Sequence, residues 1–265
     1  MNFVGIIPAR YASTRFPGKP LADIGGKPMI QRVYEQVKKV LDEVTVATDS
    51  DLIYACVRAF GGNAVMTSPD HKCGTERCAE AWEKTACGRK DADCVVVNIQ
   101  GDEPFIQPEQ IRALCGCFDN KTEIATLVKP FTANDTLQDL ENPNTPKVVF
   151  AEDGRALMFS RSVIPYLRGL PKEEWLGQGR HFRHIGMYAY RADVLKEIIK
   201  LPLSPAEQAE SLEQLRWLEH GYRIQVAVCE TASLGIDTPA DLEKARLLLA
   251  AQTPAGDADR QSAAI

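Results

Sequence analysis

Two short runs limit what this chain can fold into. Phe3-Val4-Gly5-Ile6-Ile7 and Cys94-Val95-Val96-Val97-Asn98-Ile99 are apolar without alternation, the pattern of strands covered on both faces and so of a parallel sheet. Parallel strands need long crossovers, and the intervening sequence supplies helices. After Gly25-Gly26, with Pro28 suited to a first helical position, Met29, Ile30, Val33, Val37 and Val40 recur at helical spacing. A strand is expected at 43–47, a helix with Leu52, Ile53, Cys56, Val57 and Phe60 on one face, and a short strand ending near Met66. Further helices are expected at 108–118 and 205–220, and strands at 124–128, 182–191 and 223–228. Asp153-Gly154 reads as a hairpin turn between 148–150 and 156–159. The stretch 134–146 reads as loop, and the Pro- and Gly-bearing segment up to Gly179 as mobile. Together these predict an α/β fold, a three-layer α/β/α domain with a mostly parallel sheet. The 265 residues suit one such domain over 1–250, with a polar tail at 251–265 expected to be disordered.

Composition narrows the function. A net charge of −5 argues against non-specific nucleic-acid binding. No apolar stretch approaches the roughly 18–20 residues of a membrane span, so no membrane insertion is expected. The chain opens on a strand pattern without a charged leader, so a cytoplasmic location is expected. The eight cysteines form no C-x-x-C pair and sit mostly among apolar neighbours, so they are expected to be reduced and structural.

Within this acidic chain, the first strand empties into a cationic loop, Pro8-Ala9-Arg10-Tyr11-Ala12-Ser13-Thr14-Arg15-Phe16-Pro17-Gly18-Lys19-Pro20. Its prolines and glycine forbid an immediate helix. Loops at the carboxyl ends of parallel strands are where α/β proteins bind ligands, and Arg10, Arg15 and Lys19 suit a polyphosphate. A solvated basic loop is the plainer reading; the position after a buried strand favours the phosphate.

Other stretches carry two readings. Thr48-Asp49-Ser50-Asp51 is better explained by helix capping than by a metal. Cys73-Gly74-Thr75-Glu76-Arg77 opens a helix whose free N–H groups and Arg77 could hold a nucleotide, or it is a capped helix with a surface arginine. Gln100-Gly101-Asp102-Glu103-Pro104 follows the central strand, where Asp102 is either a magnesium ligand or a turn aspartate. Thr238, Pro239 and Asp241 form a helix start, which leaves Asp237 just outside it.

The stretch from Ile7 to Leu21 resembles the opening signature of the 3-deoxy-manno-octulosonate cytidylyltransferases (CMP-Kdo synthetases), with Phe16 where leucine is usual. The resemblance runs from Phe3 to about Leu249. It implies a nucleotide-diphospho-sugar transferase fold, an insertion at 148–190 used in a homodimer, and formation of CMP-Kdo and pyrophosphate from CTP and a 2-keto-3-deoxy sugar acid for lipopolysaccharide. It assigns Ala9, Arg10, Arg15, Lys19, Gly74, Arg77 and Gln100 to the nucleotide. Gln100, Arg161, His184, Tyr188, Glu213 and Gln214 fall to the sugar acid, and Asp102 and Asp237 to Mg2+. Lys19, Arg10, Asp102 and Asp237 are the implied catalytic set. Cys73 stands where serine is common. A CMP-sialate synthetase would share the basic loop but differ around His184 and Glu213. A nucleotide-sensing domain would not need Asp102, Asp237 and Arg161 as well.

Overall fold

The computed structural model describes residues 1–12, 16–86, 91–231 and 235–252. The chain begins with β1 (Asn2–Ala9) and a small antiparallel pair, β2 (Asp23–Ile24) and β3 (Lys27–Pro28). There follow α1 (Met29–Lys38), β4 (Glu43–Thr48), α2 (Asp51–Ala59) and β5 (Ala64–Met66). Next come α3 (Gly74–Thr85), β6 (Cys94–Asn98), α4 (Pro108–Cys115), β7 (Ile124–Pro130) and α5 (Leu137–Glu141). The hairpin strands β8 (Lys147–Phe150) and β9 (Ala156–Ser160) precede the long β10 (Phe182–Arg191). The chain closes with α6 (Ala192–Ile198), α7 (Pro205–Glu210), α8 (Glu213–Glu219), β11 (Ile224–Val228) and α9 (Pro239–Gln252).

The main sheet has the order β11-β7-β10-β6-β1-β4-β5. Along this path the strands are parallel except β10, which runs antiparallel between β7 and β6, and the β8–β9 hairpin joins the same sheet through an antiparallel pairing of β8 with β10. The unalternating apolar runs are explained by two cores, one on each face. Val4, Ile6 and Val96 pack with Trp82 of α3 and Leu195 of α6. Ile7, Val95 and Val97 pack with Val33 of α1, Ile53 of α2 and Leu114 of α4. The sheet is therefore the middle of three layers, as expected. The parallel direction gathers the carboxyl ends of β1, β4 and β6 along one edge, where β10 enters.

Several elements differ from expectation. The single helix expected at 205–220 is two, because Ser211 takes a left-handed conformation (φ 50°) between α7 and α8. The break is held from outside the segment: Arg161 Nε donates to the Glu210 carbonyl at 2.5 Å and Nη2 to that of Ser211 at 3.2 Å. The loop expected at 134–146 contains α5, started by a capping box of Thr136 and Asp139. The segment expected to be mobile is anchored by Trp175, only 3% exposed, which packs with Phe131 and Leu140. At the far end α9 continues through Ala251 and Gln252, into the stretch expected as tail; the rest of that tail lies outside the described residues. Of the 148–190 stretch, β8 and β9 form the expected hairpin while β10 lies inside the main sheet.

Candidate active site

At the shared strand edge a cleft is lined by Pro8, Ala9, Arg10, Lys19, Gly74, Arg77, Gln100, Asp102 and Asp237, together with His71, Lys72 and Cys73. The basic loop is shaped locally. Gly18, at φ 70°, donates its N–H to the Tyr11 carbonyl at 3.0 Å, and the turn Lys19–Leu21 follows. That fold-back carries Lys19 across the mouth of β1. Its ammonium reaches Asp102 Oδ2 at 2.6 Å and Asp237 Oδ1 at 3.3 Å. Asp237, far along the chain, is brought there by a backbone bond from Ile236 N–H to the Asp102 carbonyl at 2.9 Å. Gly101 is required beside them, since a Cβ there would stand 2.9 Å from the Pro8 carbonyl oxygen.

The start of α9 is the expected cap. Thr238 Oγ1 accepts from Asp241 N–H at 3.3 Å, and the Asp241 carboxylate accepts from the Thr238 N–H at 3.0 Å and hydroxyl at 2.8 Å. Those bonds from Thr238 hold the Asp241 carboxyl below its usual range. Thr238→Ala is expected to lower stability by about 1 kcal/mol and to leave most turnover, as thermal denaturation and a steady-state assay would record.

The N-terminus of α3 also faces the cleft, where a helix start presents N–H donors to an anion. Arg77, although it lines the cleft, is buried and already engaged. Its guanidinium donates to Asp49 Oδ2 at 2.9 Å and Thr67 Oγ1 at 2.6 Å. The 48–51 stretch thus does two things: Ser50 caps α2 and Asp49 holds Arg77. Gln100 Nε2 donates to the Gly186 carbonyl at 3.2 Å, tying the loop to β10. Arg15 lies outside the described residues. Among the described residues, neither Arg10 nor Lys72 makes a side-chain hydrogen bond or ion pair.

Behind the α3 start lies a polar cluster around Glu213. Glu213 accepts from Cys73 Sγ at 3.1 Å and Thr75 Oγ1 at 2.8 Å. Burial pushes its pKa up, against those two hydrogen bonds. Burial, reinforced by Glu213, likewise raises the Cys73 thiol to about 12. Cys73 is thus a neutral donor in the serine position rather than a purely structural cysteine. Gln214 is 5% exposed, so the pair at the start of α8 is not a solvated surface. Its Nε2, Asn98 Oδ1 and Trp217 Nε1 are buried and, among the described residues, find no hydrogen-bond partner. Tyr188 packs edge-on against Trp217, with centroids 5.1 Å apart.

His184 contacts Thr126 Oγ1 at 2.9 Å, and burial lowers its pKa to about 3. It is neutral, able to serve a hydroxyl but not to offer a carboxylate a cation. Arg161 sits outside the cleft lining, with its guanidinium on main-chain carbonyls. Sequence reasoning did not single out Lys72, Thr75, Asn98 or Trp217 as candidates. Lys72 and Thr75 lie in the stretch around Gly74 that carries the nucleotide reading, and Asn98 left a signal as a polar residue inside an apolar strand.

A three-layer α/β fold that gathers cations, a helix N-terminus and two carboxylates at its strand edge defines a nucleotidyltransferase, and a family model described as Cytidylyltransferase matches residues 4–224. The 3-deoxy-manno-octulosonate cytidylyltransferase of Parabacteroides distasonis is 61% identical over 252 residues, covering 94% of this chain and 99% of that protein. The enzyme of the same name from Phocaeicola vulgatus is 60% identical over 250 residues, covering 94% and 98%. The solved structure of a CMP:2-keto-3-deoxy-manno-octonic acid synthetase complexed with CTP matches with a TM-score of 0.86 and 44% identity, covering 96% of this chain and 100% of that one. The chain belongs to the 3-deoxy-manno-octulosonate cytidylyltransferase family.

Proposed function

We propose that the protein joins CTP to 3-deoxy-D-manno-octulosonate, giving CMP-Kdo and pyrophosphate. The observation that carries the reading is the convergence of Lys19, Asp102 and Asp237 in the cleft, in a chain whose match solved with CTP covers nearly its whole length. In the reaction the sugar's anomeric oxygen attacks the α-phosphorus. A new P–O bond forms, the bond to the bridging oxygen of pyrophosphate breaks, and the hydroxyl proton passes to solvent. Arg10, Arg15 and Lys19 neutralise the triphosphate, and the α3 N-terminus offers N–H donors to the same anion. Gln100 and Arg77 border the nucleotide, while Tyr188, His184, Glu213 and Gln214 border the sugar acid, with Arg161 behind them on the turn at 210–211. Holding the two reactants in line is the main work of such a site.

Asp102 and Asp237 fit magnesium. Two hard carboxylates close on a single cation, their side chains are 33% and 53% exposed, and water and phosphate have room to complete a shell. Bound there, the metal would supply charge neutralisation at the phosphate oxygens and a lower pKa for the attacking hydroxyl.

Among the described residues no helix is long and apolar enough to cross a membrane, and dependence on CTP favours a cytoplasmic reaction that supplies an activated sugar for lipopolysaccharide. Leu157 and Met158 of β9, and Tyr166, are exposed apolar side chains on the 148–190 stretch, which supports homodimer contacts there.

A pyrophosphate-release assay with CTP and a panel of sugars tests the substrate class. Turnover is expected with 2-keto-3-deoxy acids and little with hexose 1-phosphates, because Arg216, the one cation at Glu213 among the described residues, is already paired to it at 3.4 Å and His184 is neutral, which leaves poor partners for a second phosphate. Comparable rates with a hexose 1-phosphate would remove the reading.

A further inference from the structure

Lys147, on β8, is fully buried, at 0% exposure. Its ammonium donates to three main-chain carbonyls, of Asn142 at 3.0 Å, Thr145 at 2.8 Å and Arg161 at 2.7 Å. That uses all of its protons, and among the described residues no carboxylate lies within ion-pair distance. Burial lowers its pKa, while the charge of Glu210 works the other way. A buried ammonium is an unfavourable filler, since an apolar side chain of similar length packs the same space without desolvating a charge. Its value therefore lies in what it fixes.

Two cations grip one loop. Lys147 holds carbonyls 142 and 145, and Arg161 Nη1 donates to the Pro143 carbonyl between them at 2.8 Å. Arg161 in turn reaches the end of α7 through the Glu210 and Ser211 carbonyls. The Glu210 carboxylate completes the circuit, accepting from Ser160 Oγ at 2.6 Å and Arg161 N–H at 2.7 Å. This is the turn whose left-handed Ser211 sets where α8 begins, and α8 begins with Glu213 and Gln214.

We propose that Lys147 is a positioning residue for the sugar-acid end of the site. By locking the Arg161 carbonyl to the 142–145 loop, it sets the Arg161 guanidinium against the turn at 210–211 and so places Glu213 and Gln214. The inference rests on the reading of the α8 start as the sugar-acid end.

The test compares the KM values for CTP and for the sugar acid in Lys147→Met, Arg161→Ala, the double variant and Glu213→Gln. Lys147→Met is expected to raise the sugar-acid KM by about tenfold or more with the CTP KM nearly unchanged. The double variant is expected to be little worse than Arg161→Ala alone, because the first residue acts through the second. If Lys147→Met does not fold, Lys147→Arg, which keeps the charge but moves the donors, carries the same comparison. A folded variant with unchanged sugar-acid KM overturns the proposal. So do additive effects in the double variant, a joint rise of both KM values, or failure of both Lys147 variants to fold. Glu213→Gln separates the two levels: if it leaves the sugar-acid KM unchanged, the reading of that end fails whatever Lys147 does.

Discussion

Asp237→Asn is expected to give a folded protein with turnover down by at least about 10²-fold, partly restored by high magnesium or by manganese. The substitution keeps size and turn preference and removes one of the two carboxylates that close on Lys19. Stability should hold, because the side chain is 53% exposed and the cap of α9 is built from Thr238 and Asp241 instead. The contrast with Thr238→Ala makes the result specific: one residue further on, the loss should appear in melting temperature rather than rate. Circular dichroism and a metal titration of kcat read both. Normal turnover of Asp237→Asn at limiting magnesium would leave Asp102 to act with some other ligand.

Lys19→Ala should lower turnover by about 10²–10³-fold with the fold intact. Its ammonium does two jobs that alanine cannot: it bridges Asp102 and Asp237, and it stands in the cleft proposed to receive the triphosphate. Removing it takes away the cation between the two carboxylates and one of the positive charges proposed to neutralise the nucleotide. Arg10→Ala tests the second job alone, since among the described residues Arg10 makes no hydrogen bond or ion pair with either carboxylate. A fall in kcat/KM at both positions, with near-constant melting temperature, is the expected pattern. Retention of near wild-type kcat/KM by either folded variant would make the loop ordinary surface.

What the sequence disclosed and what it hid divide along range of interaction. Phe3-Val4-Gly5-Ile6-Ile7 and the Cys94 to Ile99 run carry their own burial pattern, so the layers were legible. Asp102 and Asp237 could be brought together on paper because parallel strands end on one edge. Their shared partner Lys19 could not, since nothing local in a lysine after Gly18 says it will fold back between two carboxylates. The same holds for Arg77, whose buried pairing with Asp49 depends on β4 and α3 lying side by side. The split of the 205–220 helix was invisible for the same reason. Its apolar spacing is intact across Ser211, and the break is imposed by Arg161 from β9's end. His184 was legible as a residue but not as a charge state, because its neutrality is a consequence of burial.

The central claim is nucleotidyl transfer to a sugar-acid oxygen, and phosphorus NMR of the reaction mixture tests it directly. With CTP, magnesium and 3-deoxy-D-manno-octulosonate, the expected spectrum shows the α-phosphorus as a phosphodiester of the sugar, with one pyrophosphate formed for each. Appearance of CDP with a phosphorylated sugar or free phosphate, and no CMP-linked diester, would place attack at the terminal phosphorus and contradict the account.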